Sequence, residues 1–208
     1  MNWLAHILLS KRDVEYQIGN FLADPLKGKA WEGASVSLQQ GMLMHKAIDV
    51  FTDSHEIVSM SKARLGKKGY LKGVVIDVLY DHYLAAHWGR FTCEPQSSFL
   101  ASFYFGAKQV ASSYPDKAKT TVLTLVTSDR LATYREFDGF VNALHGIEAR
   151  LSPRIKAKDS TLNYIPIVEQ QYNALQSDFE VFFPELITFF RHHKFCLLYT
   201  SPSPRDRG

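Results

Sequence analysis

Little in this chain of 208 residues favours a disulfide framework, a membrane span or a nucleotide-binding loop. Its two cysteines, Cys93 and Cys196, have no CxxC spacing, so neither a zinc site nor a disulfide scaffold is encoded, and a reducing cytoplasm is the simplest setting. No stretch approaches the roughly 18 apolar residues of a transmembrane helix. The apolar start, Met1 to Ser10, has no basic leader and runs at once into Lys11, Arg12 and Asp13, which is not the pattern of a signal peptide. Walker A, GxGxxG and GxSxG patterns are all missing. Gly66-Lys67-Lys68-Gly69 is too short to cradle a phosphate and reads as a basic turn. A net charge of +3 argues neither for nor against nucleic acid. Alternating apolar and polar runs are scarce, and no internal repeat of 20–50 residues is present.

What the chain does have is apolar and aromatic material, with 14 Phe, 10 Tyr and 3 Trp, recurring at helical spacing. The spacing predicts short helices over 2–10 and 17–26 and longer ones over 37–53, 55–64 and 70–88. The Thr52-Asp53-Ser54 group offers a cap for the 55–64 helix. Further helices are expected over 95–113, 116–127 and 129–150, and a long one over 161–190, kinked or interrupted at Pro184. The expectation is a single compact all-α domain of seven to nine helices spanning 1–195. The Ser/Pro/Arg-rich stretch 196–208 breaks the pattern and reads as a disordered, non-native tail.

Two polar insertions in apolar helices stand out. His45, Asp49 and Asp53 follow one another at intervals of four residues, one face of a helix. Asp77 and Asp81 repeat the interval on a second segment, with His82 adjoining. Carboxylates in apolar helices are costly unless a positive charge meets them, and residues 77–82 contain no Lys or Arg. A divalent metal ion answers that need. His6, in an apolar run, and Asp24, before Pro25, add one imidazole and one carboxylate. His87, His145, His192 and His193 share no spacing and read as surface residues. A donor set of imidazole and carboxylate without thiolate suits Mn²⁺ or Mg²⁺ better than structural zinc. Such an ion polarises a phosphoryl oxygen and acidifies bound water, which is the apparatus of phosphoester hydrolysis.

At these residues the chain resembles the acyl carrier protein phosphodiesterases, bacterial members of the HD-type metal-dependent phosphohydrolases. The resemblance is carried by Met1-Asn2-Trp3-Leu4-Ala5-His6, by Gly19-Asn20-Phe21-Leu22-Ala23-Asp24, by Met44 to Asp53 and by Asp77 to Trp88. It continues more weakly through Tyr134 to Asp138 and Asp178 to Pro184, and so covers about 1–194. It implies an HD-like all-α fold. It also implies a Mn²⁺-dependent cleavage of the phosphodiester between 4′-phosphopantetheine and a serine of holo acyl carrier protein. Two departures are visible. The ordinary HD signature places His directly before Asp, whereas this chain has Asp81-His82 and a spaced His45/Asp49. Position 25 is a proline, beside Asp24.

From the residues and the resemblance together, Asp24, His45, Asp77 and His6 are expected to hold the metal. Asp77, Asp81, His82 and Asp49 are expected to carry the chemistry. Carrier proteins are small and acidic, so the resemblance also implies basic side chains near the centre. Arg64, Lys67 and Lys68, within the basic stretch from Lys62 to Lys72, are the expected docking residues, and Lys11 and Arg12 are further candidates. Neither nucleic acid nor a membrane is expected as a partner. The alternatives are an HD-type hydrolase of another phosphoester, such as a nucleotide, and a helical module that binds carrier protein without turnover.

Overall fold

A computed structural model describes residues 2–191 of the chain. The stretch 196–208, expected to be a non-native tail, lies outside the described residues. The chain runs through α1 (Trp3–Leu9), α2 (Val14–Leu22), α3 (Val36–Ser54), α4 (Glu56–Arg64) and α5 (Lys72–Ala86). After a 3₁₀ turn at Trp88–Arg90 come α6 (Gln96–Ala111), α7 (Asp116–Ser128), the single turn α8 (Arg130–Thr133) and α9 (Phe137–Arg150). The single turn α10 (Pro153–Lys156) and a 3₁₀ turn at Thr161–Tyr164 lead into α11 (Ile165–Arg191). No strand occurs among the described residues, so the all-α expectation holds. No described helix is long and apolar enough to cross a membrane.

Several helix starts are set by side-chain caps, and these decide the boundaries. Asp13 accepts a hydrogen bond from the Tyr16 amide at the head of α2, and Ser35 accepts one from the Leu38 amide at the head of α3. The cap of α4 is not the expected Thr52-Asp53-Ser54 group. His55 fills it, its Nδ1 accepting from the Ile57 amide at 3.3 Å. The segment expected as one helix over 129–150 is two, α8 and α9. The chain bends sharply between them, and a Cβ at Gly139 would lie 1.8 Å from the Thr133 carbonyl oxygen. Pro184 sits inside α11, which continues through it rather than ending there.

The closest helix pairing is the one that builds the site. α2 and α3 meet backbone to backbone through glycines. A Cβ on Gly19 would fall 2.0 Å from the Leu38 carbonyl oxygen, and one on Gly41 would fall 2.0 Å from the Tyr16 carbonyl oxygen. α11 lays Phe179, Phe182 and Phe183 against Tyr80, Tyr83 and Phe91, all in ring contact. Within that apolar layer one polar knot is satisfied. Arg64 donates twice to Asp178 at 2.8 and 3.1 Å, and Ser61 donates to the same carboxylate at 2.8 Å.

Candidate metal centre

The centre is assembled by three adjoining pieces of chain. α1 supplies His6, α3 supplies His45 and Asp49, and the turn after α2 supplies Asp24. That turn is a Schellman closure. The Gly28 amide donates to the Ala23 carbonyl at 2.7 Å and the Lys27 amide to the Asp24 carbonyl at 3.0 Å. Lys27 takes the left-handed position (φ 54°), where glycine is usual, and Gly28 follows at φ 68°. Pro25 fits inside this turn, where no hydrogen bond from its nitrogen is needed.

His45 Nε2 stands between two carboxylates, 3.1 Å from Asp24 Oδ1 and 3.2 Å from Asp49 Oδ2. His6 Nε2 lies 3.3 Å from the other oxygen of Asp49. The two imidazoles stack at a centroid distance of 4.1 Å. One ligand atom from each of His6, His45 and Asp49 falls within 4.8 Å of the others, the span of a coordination sphere. The imidazoles are buried, His6 at 0% exposure and His45 at 5%. The carboxylates face outward, the Asp49 side chain at 40% and that of Asp24 at 71%. They line a cleft of about 580 Å³ that Lys27, Lys46 and Leu43 also border.

Burial alone would lower the basicity of His45, but its hydrogen bonds to Asp24 and Asp49 win and raise its pKa to about 9. His6 goes the other way, because burial dominates and holds its pKa below the usual imidazole value. The hydrogen bond to His45 lowers the pKa of Asp24. Burial pushes the Asp49 carboxyl up, but the hydrogen bond from His45, with the second imidazole close by, outweighs it and leaves it lowered. Asp49 therefore stays ionised and faces a neutral His6. His45 Nδ1 is buried with no hydrogen-bond partner. The donor set of imidazole and carboxylate, with a lone pair of His6 aimed at Asp49, fits a hard or borderline divalent ion.

The other residues expected from the sequence lie elsewhere. Asp81 is fully buried on α5 and accepts the amides of Leu4 at 2.7 Å and Ala5 at 3.1 Å. It thus caps α1, whose own N-terminal residue Asn2 makes no side-chain cap. Burial raises its pKa to about 7, against the pull of those two amides. His82 Nδ1 donates to the Tyr134 carbonyl at 2.8 Å, so its Nε2 accepts from the Tyr172 hydroxyl at 2.7 Å. Asp77 is half-buried on α5, one turn before Asp81. None of these three belongs to the group formed by His6, His45 and Asp49. Asp53 pairs with Lys62 at 2.9 Å. Of the expected docking residues, Arg64 is held by Asp178, while Lys67 and Lys68 are exposed.

Sequence reading assigned no role to Asn20 or Ser10, both fully buried beneath His6. The available signal was polarity out of place. Asn20 is the polar residue of the apolar run Ile18 to Ala23 and precedes Asp24 by one helical turn.

An all-helical domain with a histidine–carboxylate group at the mouth of a surface cleft is the class of protein these features define. Residues 1–186 match the model of the acyl carrier protein phosphodiesterase family, and the chain belongs to that family. It is 31% identical over 193 residues to the acyl carrier protein phosphodiesterase of Enterobacter sp. (strain 638), covering 90% of this chain and 96% of that protein. It is 29% identical over 198 residues to the same-named protein of Shigella boydii serotype 18, covering 92% and 98%. The one from Escherichia coli O139:H28 is 28% identical over 198 residues, with the same coverage. No solved structure matches the chain.

Proposed function

We propose that the chain hydrolyses the phosphodiester joining 4′-phosphopantetheine to a serine of holo acyl carrier protein, giving apo carrier protein and phosphopantetheine. Family membership and the shared name of the relatives support the substrate. One observation carries the chemistry: ligand atoms of His6, His45 and Asp49 converge within 4.8 Å, next to Asp24, with no Lys or Arg among them. These residues would hold a divalent ion, Mn²⁺ by preference for the mixed nitrogen and oxygen set and Mg²⁺ as the second choice. When bound, the ion supplies Lewis-acid polarisation of a phosphoryl oxygen and a more acidic water.

The side chains of the chain itself do the rest. Hydrolysis forms a bond from a water oxygen to phosphorus and breaks the bond from phosphorus to the serine oxygen. A water proton passes to the ionised carboxylate of Asp24 at the cleft, which returns it to the serine oxygen as that oxygen leaves. Lys27 and Lys46, at the rim of the cleft, offset the phosphoryl charge. Asp81 and His82 contribute by fixing α1 and its surroundings. Asp77 is proposed as a further carboxylate of the machinery. An Asp77→Ala enzyme with parental turnover under saturating Mn²⁺ would remove it from that role. Lys67 and Lys68, with Arg64, are proposed to attract the acidic carrier protein, and a cytoplasmic location is proposed along with that substrate.

The test is direct. Holo carrier protein is incubated with the enzyme and Mn²⁺, and the carrier protein is weighed by mass spectrometry. Loss of the phosphopantetheine mass, abolished by a chelator and restored by Mn²⁺, is the expected result. Binding without any mass loss, or hydrolysis of nucleotides with the carrier protein left intact, would overturn the proposal.

A further inference from the structure

Beneath the centre lies a set of hydrogen bonds whose donors and acceptors follow from the groups that make them. His6 Nδ1 is 2.8 Å from Asn20 Oδ1. The Asn20 amide nitrogen lies 2.9 Å from the His6 carbonyl oxygen and 2.9 Å from Ser10 Oγ. Ser10 Oγ lies 2.8 Å from the same carbonyl. His6, Ser10 and Asn20 are all at 0% exposure, so the set is shielded from bulk solvent.

A backbone carbonyl only accepts, so both Ser10 Oγ and the Asn20 nitrogen donate to it, and Ser10 accepts the second Asn20 proton on a lone pair. The opposite amide orientation would set two oxygens against each other at the His6 carbonyl. Asn20 Oδ1 must therefore face His6, and His6 Nδ1 must carry the proton. In neutral His6 that leaves Nε2 as the lone-pair nitrogen, and Nε2 is the atom 3.3 Å from Asp49 Oδ1. An imidazole lone pair and an ionised carboxylate at that distance repel unless a cation lies between them.

We propose that Asn20 is a positioning residue of the metal centre: it holds the proton of His6 on Nδ1 and so presents Nε2 to the ion. This inference rests on the metal-centre reading above and adds the group that prepares one ligand for it. The backbone supports the same role. Gly19 admits the Leu38 carbonyl against α2, so the turn bearing Asn20 is wedged between α1 and α3. Ser10 aligns Asn20 in turn, and it sits where α1 ends.

Two measurements test the proposal, and the first needs no change at Asn20. Long-range ¹⁵N–¹H correlation spectra of the metal-free full chain report which nitrogen of each imidazole bears a proton. His6 is assigned by the signal missing from His6→Gln. A protonated Nδ1 shift is expected for His6, and an unprotonated Nδ1 would overturn the proposal. The second measurement is Mn²⁺ affinity by titration calorimetry for the parent and Asn20→Leu, with circular dichroism melts to confirm folding. Asn20→Leu keeps the volume but removes the acceptor, and Mn²⁺ binding should weaken about 10–100-fold, the usual effect of losing a group that orients a metal-binding histidine. A folded Asn20→Leu protein with parental affinity would overturn the proposal. If Asn20→Leu does not fold, the His6 spectrum decides. If the parent itself binds no Mn²⁺, the metal-centre reading fails, while the spectrum still decides whether Asn20 sets the tautomer.

Discussion

His45, held between Asp24 and Asp49, makes the metal-free centre sensitive to pH. Its folded pKa, about 9, lies above the ordinary imidazole value of 6.5. The proton on His45 therefore stabilises the fold fully below about pH 6.5, and this contribution is lost as pH rises towards 9. Asp49 acts with the opposite sign: its lowered pKa stabilises the fold above the ordinary carboxylate value of 3.8 and is lost in acid. The expected outcome is that the melting temperature of the metal-free protein falls between pH 6.5 and 9, and that His45→Gln flattens that slope. Mn²⁺ competes for the same lone pair, so at pH 8 added Mn²⁺ should raise the melting temperature of the parent and much less that of His45→Gln. Melts by circular dichroism across this range check both statements, and a parent curve flat from 6.5 to 9 would refute the assignment. At this scale the four-residue spacing made His45 and Asp49 legible as a pair in the sequence, because a helix puts such residues on one face. That His6 and Asp24 join them was not legible from spacing, since it depends on how three helices pack. Asn20 was legible only as a polar residue out of place.

α1 and the contact between α2 and α3 fix where those side chains stand. α1 has seven residues and makes no side-chain cap of its own, so its first turn depends on Asp81 from α5. The interval between Asp77 and Asp81 suggested a second ligand pair, but the same pattern also suits a carboxylate that serves the amides at a helix start, and sequence does not tell the two apart. The consequences differ. Asp81→Ala leaves two buried amides unpaired, which should destabilise the protein by about 1–3 kcal/mol for each group left unsatisfied. Mn²⁺ affinity should fall with it, because His6 rides on α1. Asp81→Asn retains one acceptor and should fall between. A loss of turnover in Asp81→Asn with unchanged stability and unchanged Mn²⁺ binding would instead put Asp81 in the chemistry. The glycines give a second prediction for this packing. At Gly41 a Cβ would overlap the Tyr16 carbonyl oxygen at 2.0 Å, and backbone cannot swing aside as a side chain can. Gly41→Ala should therefore separate α2 from α3, at about 1–3 kcal/mol or more of stability. It should also weaken Mn²⁺ binding, since Asn20 and Asp24 move away from His45. Calorimetric titration beside a denaturant melt checks it, and parental behaviour in both would show that the pairing is looser than its geometry.

For the whole molecule, an all-α fold followed from helical periodicity and from the scarcity of alternating runs, whereas the path of the chain around its ends did not. The split between α8 and α9 arises at a tight turn that apolar spacing does not register, and α11 runs helically through Pro184 where Phe91 packs on its Phe179 and Phe183. Recognition of a protein substrate belongs to this scale too, because charges far from the centre act on encounter rather than on bond breaking. The basic stretch before α5 is not uniform. Lys62 is paired with Asp53, Lys72 donates to the Gly66 carbonyl at 2.7 Å, and Arg64 closes the Asp178 knot between α4 and α11. Reversing Arg64 would therefore disturb the fold and confound any reading of docking. Lys67 and Lys68 are exposed and carry the test alone. The double variant Lys67→Glu and Lys68→Glu should keep the parental melting temperature and the parental hydrolysis of a small phosphodiester that lacks the protein. Its kcat/KM for holo carrier protein should drop by roughly tenfold or more in low salt, the lower end of what electrostatic steering supplies. The difference from the parent should shrink as salt is raised, because at about 0.15 M the screening length is only about 8 Å. If the double variant processes holo carrier protein at the parental rate in low salt, the acidic partner approaches over another face. Lys27 and Lys46 at the cleft rim would then be the next pair to reverse, read against Mn²⁺ affinity so that a damaged centre is told apart from a lost docking contact.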